Sequence, residues 1–284
     1  MRKGIFVPFC DIYLQRGNLF LDSFRKGFSR RLFYDEQNKS HVSYILNYSV
    51  CEGLANFIHT MKKLLLTLFK VNWLKTIYFN LHYLSFSQAI LLPVFIYNRT
   101  YLYKMKGKIT FNCPLRPGLV KIGPHGLGTR DRRFSRTMWE VTGELKINGK
   151  ASFGRGCRIS IGKQAILEIG RSFCITGDTS IICQKKIHFG DDCLLSWDIL
   201  IMDTDFHHIS NKEGKIINEP RPIEIGNHVW IGCRNTLLKG ITIADHTIIA
   251  ASSTITQSNY QQNCVIGGHG KGMQILKKDV SWES

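Results

Sequence analysis

Acidic residues are scarce in this chain of 284 residues: 21 Asp and Glu stand against 38 Lys and Arg, a formal net charge of +17. Such a surplus favours acidic partners such as phosphates, anionic lipid headgroups, nucleic acid or polyanionic glycans. No aromatic–basic recognition motif accompanies it, so nucleic acid is not expected as a partner. The surplus is uneven. Met61 to Lys150 carries 16 Lys and Arg against only Asp131, Glu140 and Glu144. Long apolar runs are missing too. No stretch of 18 uncharged apolar residues occurs, so no membrane-spanning helix is expected. Arg2, Lys3, Asp11, Arg16 and Asp22 leave no apolar core long enough for a secretory signal, and a cytoplasmic location is expected. The nine cysteines are an odd number with no C-x-x-C pair, which argues against a zinc site and a complete disulfide framework. Cys157 and Cys193 read as buried structural thiols in a reducing compartment.

What the chain does have is a strict six-residue step. Ile225, Ile231, Leu237, Ile243, Ile249 and Ile255 are all aliphatic, and Gly226, Gly232, Leu238, Ala244, Ala250 and Thr256 follow them. Neither the helical period of 3.6 nor simple alternation produces this step. It is the mark of a hexapeptide β-helix, in which one aliphatic side chain per hexad points inward and stacks on its equivalent in the next coil. Shorter runs precede it: Ile147, Phe153 and Ile159, then Ile169, Ile175, Ile181 and Ile187, then Phe189, Leu195 and Ile201.

Three segments follow from this pattern. Residues 1–60 show no clear period, apart from an expected short helix over Tyr44 to His59. Two readings stay open there: a poorly ordered extension with the translation start placed too far upstream of Met61, or an N-terminal helical subdomain. Residues 61–107 read as amphipathic helices broken near Pro93, suited either to capping the β-helix or to lying on an anionic membrane surface. Residues 108–284 read as the β-helix, mainly β in class. Arg130 to Arg136 form the densest basic cluster, read as a solvated loop. At 203–222 (DTDFHHISNKEGKIINEPRP) the period fails, and a polar loop between two runs of coil is where a solenoid places its function.

The repeats, the D-T-D-F-H loop and the I-x-I-G-x-x-V-W-I-G that follows it resemble the left-handed parallel β-helix acyltransferases. Within them, the sequence is most similar to the O-acetyltransferases of maltose, galactoside and surface polysaccharides. The resemblance covers Lys108 to Ser258. It implies a homotrimer that moves an acetyl group from acetyl-CoA to a sugar hydroxyl, with no metal. It implies that His207 is the catalytic base, with the adjacent His208 as runner-up. A neutral imidazole suits the role because its pKa lies near the working pH. Asp203 and Asp205 flank the histidine as candidates to orient the imidazole, to bind sugar, or to cap a turn. By the same resemblance, Asp198 is a candidate sugar contact and Trp230 lines the acetyl-pantetheine groove. Gly232, Ala250 and Ala251 would let pantetheine approach the backbone, and Lys271 would meet the CoA phosphates. The family's G-x-P-A-K reads Gly267-Gly-His-Gly-Lys271 here, without the Pro-Ala.

Two other classes compete. A β-helix metal hydratase of the carbonic anhydrase type needs three convergent histidines, and His207, His208, His228 and His246 lack its H-x4-H spacing. A non-catalytic scaffold would need the repeat but not the Asp-flanked histidine loop.

Overall fold

The computed structural model describes residue 56 and residues 69–124 and 135–283. Most of the expected N-terminal extension, including its short helix, and most of the Arg130 to Arg136 cluster lie outside the described residues.

From Val94 onward the backbone winds through three parallel sheets of nine, seven and six strands, so that each turn of chain contributes one strand to each sheet in rotation. Among the described residues the only antiparallel member is the last strand, Gln274–Lys278, which closes the first sheet against Cys264–Gly267. The pairing register explains the six-residue step. Phe153, Ile175, Leu195, Ile231 and Ile249 lie side by side down the first sheet. Ile159, Ile181, Ile201, Leu237 and Ile255 do so in the second, and Ile147, Ile169, Phe189, Ile225 and Ile243 in the third. All are at most 1% exposed. The core is therefore three columns of apolar side chains filling a prism, each resting on its equivalents in the neighbouring coils.

The breaks in the period have one location. From Ile225 to Ile255 every vertex is six residues from the next, and one coil is eighteen. The coils starting at Phe153 and Ile175 are longer, and the extra residues sit where the chain leaves the second sheet for the third: between Ile161 and Ile166, and between Cys183 and Lys186. The 203–222 loop departs from this same second–third edge, between Leu200–Met202 and Ile223–Ile225.

The open lower end is plugged by a helix, Trp73–Tyr83, followed by a short helix, Phe86–Ala89. Asn72 caps the first, its side chain accepting from the Lys75 N–H at 3.0 Å. Phe79 packs edge-on against Trp139 at 5.5 Å, and both rings are buried. Burial and the low polarity around it push the Tyr83 phenol up to about 12. The helix also masks the first strand. The buried Asn80 amide donates to Val94 O at 2.8 Å and accepts from Val94 N at 3.1 Å, while Thr76 Oγ1 accepts from Ile96 N at 3.0 Å. Side chains thus satisfy a strand edge that would otherwise invite pairing with another chain. The stretch expected to be helical to residue 107 turns to strand at Val94, because Pro93 ends the helical run and Val94–Ile96 and Thr100–Met105 already pair into the first coil. The other face of the long helix is bare: Leu74, Tyr78 and Leu81 are all exposed.

The rings of Phe153, Phe173 and Phe189 run up the core at 5.7 and 5.0 Å. Phe173→Ala opens a cavity that coils on both sides must span, and is expected to cost about 3–5 kcal/mol. Urea unfolding followed by circular dichroism measures it; a change below about 1 kcal/mol would show that the column does not carry the fold.

Candidate active site

The 203–222 loop is tied down at its neck by Asp203. Its side chain is fully buried and its carboxylate accepts from three successive backbone amides of the coil beneath: Gln184 at 2.7 Å, Lys185 at 2.8 Å and Lys186 at 2.8 Å. The Arg221 N–H, returning at the far side of the neck, donates to Asp203 O at 3.1 Å. Burial, together with the nearby Asp203 carboxylate, pushes the Cys183 thiol well above its usual range. Asp203 was a candidate sugar contact in the sequence. The structure instead places it as the anchor that lets the loop leave the coil, with both carboxylate oxygens already engaged.

Beyond the neck the chain forms a small hairpin bridged at Ser210 and Ile216, with Ile217 N donating to Ile209 O at 2.8 Å. His207 and His208 lie exposed on its outgoing arm. Two residues with no motif signature hold that arm. The Asn218 amide donates to His207 O at 2.7 Å and to Asp205 Oδ2 at 2.9 Å, and its oxygen accepts from Ile209 N at 2.6 Å. Lys239, on the next coil, donates to Asn218 O at 2.7 Å and pairs with the Asp205 carboxylate. The ion pair with Lys239 holds the Asp205 carboxyl below the usual carboxylate range, with Asn218 adding to it. The His207 backbone is thereby fixed, while its ring makes no hydrogen bond among the described residues. The imidazole is exposed to solvent, and only the backbone that carries it is held.

The cofactor candidates gather elsewhere. Trp230, Gly232 and Ala250 lie on the first sheet, with Ala251 at its corner with the second. Trp230 Nε1 donates to Ser196 Oγ at 3.2 Å, so the indole lies flat along the outer face. Gly154, Thr176, Ser196, Gly232, Ala250 and Gly267 occupy equivalent places on successive strands. A Cβ on Gly232 would meet Ile249 O at 2.8 Å and Ala251 N at 2.9 Å, so close stacking of coils already demands glycine there. Asp198 occupies a corner between the first and second sheets with φ 55, a left-handed conformation that Asp tolerates well. Lys271 is exposed on the turn Gly270–Gly272, which is bridged to the top of the second sheet through Thr254 and His269.

Two groups result within one chain. His207 and Asp205 occupy the second–third edge, whereas Asp198, Trp230, Gly232, Ala250 and Ala251 occupy the first sheet and its edge with the second. The rings of His228 and His246 lie tilted to one another at 5.3 Å on the third–first edge, apart from the loop histidines. Among the described residues no three His, Cys, Asp or Glu gather to hold a metal.

One residue near Trp230 carried no sequence signal. The C-terminal tail brings Trp282 flat against His228, with ring centroids 4.3 Å apart, and within 6.1 Å of Trp230. Its Nε1 donates to His228 O at 3.0 Å. Lone tryptophans close to a chain end have no periodicity to reveal such a contact.

Residues 222–257 match the bacterial transferase hexapeptide family (six repeats). The chain winds as a parallel β-helix of three sheets, the architecture expected from the six-residue step. It is 32% identical over 93 residues to galactoside O-acetyltransferase of Escherichia coli K12, covering 32% of this chain and 45% of that protein. It is 43% identical over 65 residues to polysialic acid O-acetyltransferase of Neisseria meningitidis, covering 22% and 30%. The chain thus spans less than half the length of either curated relative. A solved galactoside acetyltransferase in complex with coenzyme A superposes with a TM-score of 0.34 at 24% identity, covering 42% of this chain and 63% of that one.

The neck makes a stability prediction. Asp203→Ala orphans three backbone amides, at about 1–3 kcal/mol for each buried group left unpaired. Hydrogen exchange at Gln184, Lys185 and Lys186 is expected to accelerate; unchanged protection there would remove Asp203 from its anchoring role. The tether further out responds to pH with a fixed sign. Because the Asp205 carboxyl is lowered on folding, its contribution is complete above the ordinary carboxylate value of 3.8 and fades as pH falls through the lowered value. Protection of the hairpin amides, measured against their intrinsic exchange rates, should therefore hold at pH 5 and fall in more acidic buffer, while Lys239→Met should already show reduced protection at pH 7.

Proposed function

We propose that the chain is an O-acetyltransferase that moves an acetyl group from acetyl-CoA to a hydroxyl of a sugar or surface-polysaccharide precursor, with His207 as general base. The observation that carries this reading is an exposed imidazole whose backbone is clamped by Asn218 at the edge of a hexapeptide-repeat β-helix. The curated relatives named above, both O-acetyltransferases, support the same chemistry.

The reaction needs no covalent enzyme intermediate. The acceptor hydroxyl attacks the thioester carbonyl carbon while one ring nitrogen of His207 takes its proton. The developing oxyanion calls for a hydrogen-bond donor, such as a backbone N–H. When the tetrahedral species collapses, the carbon–sulfur bond breaks and the imidazolium returns the proton to the thiolate. Proton transfer by a positioned histidine contributes about 10²–10⁴-fold. On the cofactor side, the row of small residues through Gly232 and Ala250 leaves the backbone accessible to pantetheine, Trp230 forms one wall, and Lys271 supplies a cation for phosphate. Asp198 is the sugar-contact candidate on the same side.

The separation of the two groups within one chain favours a homotrimer, in which the His207 loop of one subunit meets the Trp230 face of the next. The outer faces support it. Ile182, Leu200, Met202 and Leu238 project from the second sheet, and Leu194, Trp230, Ile248 and Val265 from the first. The third sheet instead presents paired charges such as Lys186 with Glu224 at 2.8 Å. A cyclic assembly would bury the two apolar faces and leave the charged one in water. A CoA thioester substrate places the reaction in the cytoplasm. The bare apolar side of the Trp73–Tyr83 helix, with Lys70 beside it, suits peripheral contact with an anionic membrane.

His207→Ala should lower kcat for acetyl transfer about 10²–10⁴-fold, with circular dichroism and sedimentation unchanged. His208→Ala should stay within a few-fold of the parent protein. Full activity in the His207 variant would end the general-base assignment, and failure of the parent protein to bind acetyl-CoA in calorimetry would end the acetyltransferase reading.

A further inference from the structure

The loop that carries His207 is the largest of several features on a single edge of the prism. Beneath it, where each coil passes from the second sheet to the third, the corners read Met105-Lys106-Gly107-Lys108, Val141-Thr142-Gly143-Glu144, Ile161-Gly162-Lys163-Gln164 and Cys183-Gln184-Lys185-Lys186. These corners are in direct contact. A Cβ on Gly107 would fall 2.2 Å from Gly143 O, one on Gly143 would fall 2.1 Å from Gly162 O, and one on Gly162 would fall 2.2 Å from Gln184 Oε1. The Gln184 and Lys185 amides in turn bind the Asp203 carboxylate at the loop neck. The edge is thus a continuous line from the first coil to the base of the histidine loop, and its floor is backbone at Gly107 and Gly143, where only glycine fits.

This floor opens as a groove of about 470 Å³ lined by Lys106, Gly107, Lys108, Gly143, Lys163 and Gln164, among others. Lys106, Lys163 and Lys185 are exposed and belong to no ion pair among the described residues. The carboxylate lining the groove is already engaged: Glu144 accepts from Thr110 Oγ1 at 2.7 Å and pairs with Lys108 at 3.8 Å. Glu213 and Glu219 lie on the loop itself, beyond the groove. Coils repeat at about 4.8 Å along the axis, so these lysines offer unpaired cations over about 14 Å, ending one coil below the loop that carries His207.

We propose that this edge is the binding track for an acidic polysaccharide acceptor, whose carboxylates are held by Lys106, Lys163 and Lys185 while a hydroxyl further along the same chain reaches His207. The proposal rests on the acetyltransferase reading of the loop and gives that site its substrate class. A polymer carrying many charges can meet cations on the first, third and fourth coils at once; a single sugar bound at the loop cannot touch them. A backbone floor admits the breadth of a sugar ring where side chains would block it. Because the lysines are exposed, salt screens their attraction, so affinity for the polymer falls as ionic strength rises.

The test compares the parent protein with a Lys106→Glu/Lys163→Glu/Lys185→Glu variant and with the triple Lys→Arg variant. Probes are polymeric sialic acid, polygalacturonate, short fragments of each, and neutral dextran of matched length. Polymer binding is measured by affinity electrophoresis, separately from acetyl transfer. The Glu variant is expected to bind acidic polymer at least tenfold more weakly and to show a raised KM for it. Its kcat and its KM for short fragments should hold, with the Arg variant near the parent. Equal polymer affinity in the Glu variant and the parent would overturn the proposal, as would equal affinity of the parent for dextran. Vesicles containing anionic phospholipid are a further arm: loss of vesicle binding in the Glu variant without loss of polymer binding would assign the lysines to a membrane and overturn the proposal. If polymer binding depends on the three lysines but neither polymer nor fragments are acetylated, the track stands and the acetyltransferase reading falls.

Discussion

Each coil of this protein must return three apolar side chains to the same three inward positions. A residue such as Ile231 is buried only because Leu195 lies beneath it and Ile249 above. No coil has a core of its own, so the energetic unit is the contact between coils. The demand falls on the sheets and not equally on the corners. Two edges are crossed by tight left-handed turns, at residues such as Asp192 (φ 56), Asp198 (φ 55) and His228 (φ 53). The second–third edge takes up every difference in coil length between Phe153 and Ile255. The histidine loop is the largest of those differences.

A loop leaving a packed solenoid creates its own problem, since the corner amides of the coil below lose the partner the next coil would have supplied. Asp203 answers it with one carboxylate on three N–H groups. The anchor, the hairpin bridged at Ser210 and Ile216, and the Asn218 clamp build rigidity outward from the core toward His207 in steps. The ends of the solenoid are managed by similar means. At the bottom, the side chains of Asn80 and Thr76 occupy hydrogen-bonding groups of the first strand; at the top, the antiparallel strand Gln274–Lys278 covers the last full strand of the first sheet.

The solenoid was legible because its constraint is periodic: the inward columns from Ile147 to Ile255 appear in the sequence as the residues that recur, and the register shifts near Ile169 and Phe189 mark the longer corners. The loop was legible because periodicity stops there, between Leu200–Met202 and Ile223–Ile225. Asn218, Lys239 and Trp282 were not legible. Each acts through a contact across coils or from the chain terminus, and nothing in the spacing of an asparagine or a lysine announces which backbone it will hold. Asp203 was misplaced for a related reason. A carboxylate beside a histidine looks the same in sequence whether it faces solvent or turns inward onto three amides. The first coil was also read too late, because Val94–Ile96 and Thr100–Met105 lie among aromatic and basic residues that break the six-residue step.

An edge that absorbs chain length has an evolutionary consequence. Lengthening a surface connection costs only about 0.6 kcal/mol per doubling of its length, and here such changes leave the inward columns untouched. Insertions and deletions can therefore reshape the ground around His207 without renegotiating the core. Proteins built this way would be expected to diverge mainly in the corner lengths along one edge, while the opposite side of the prism stays fixed.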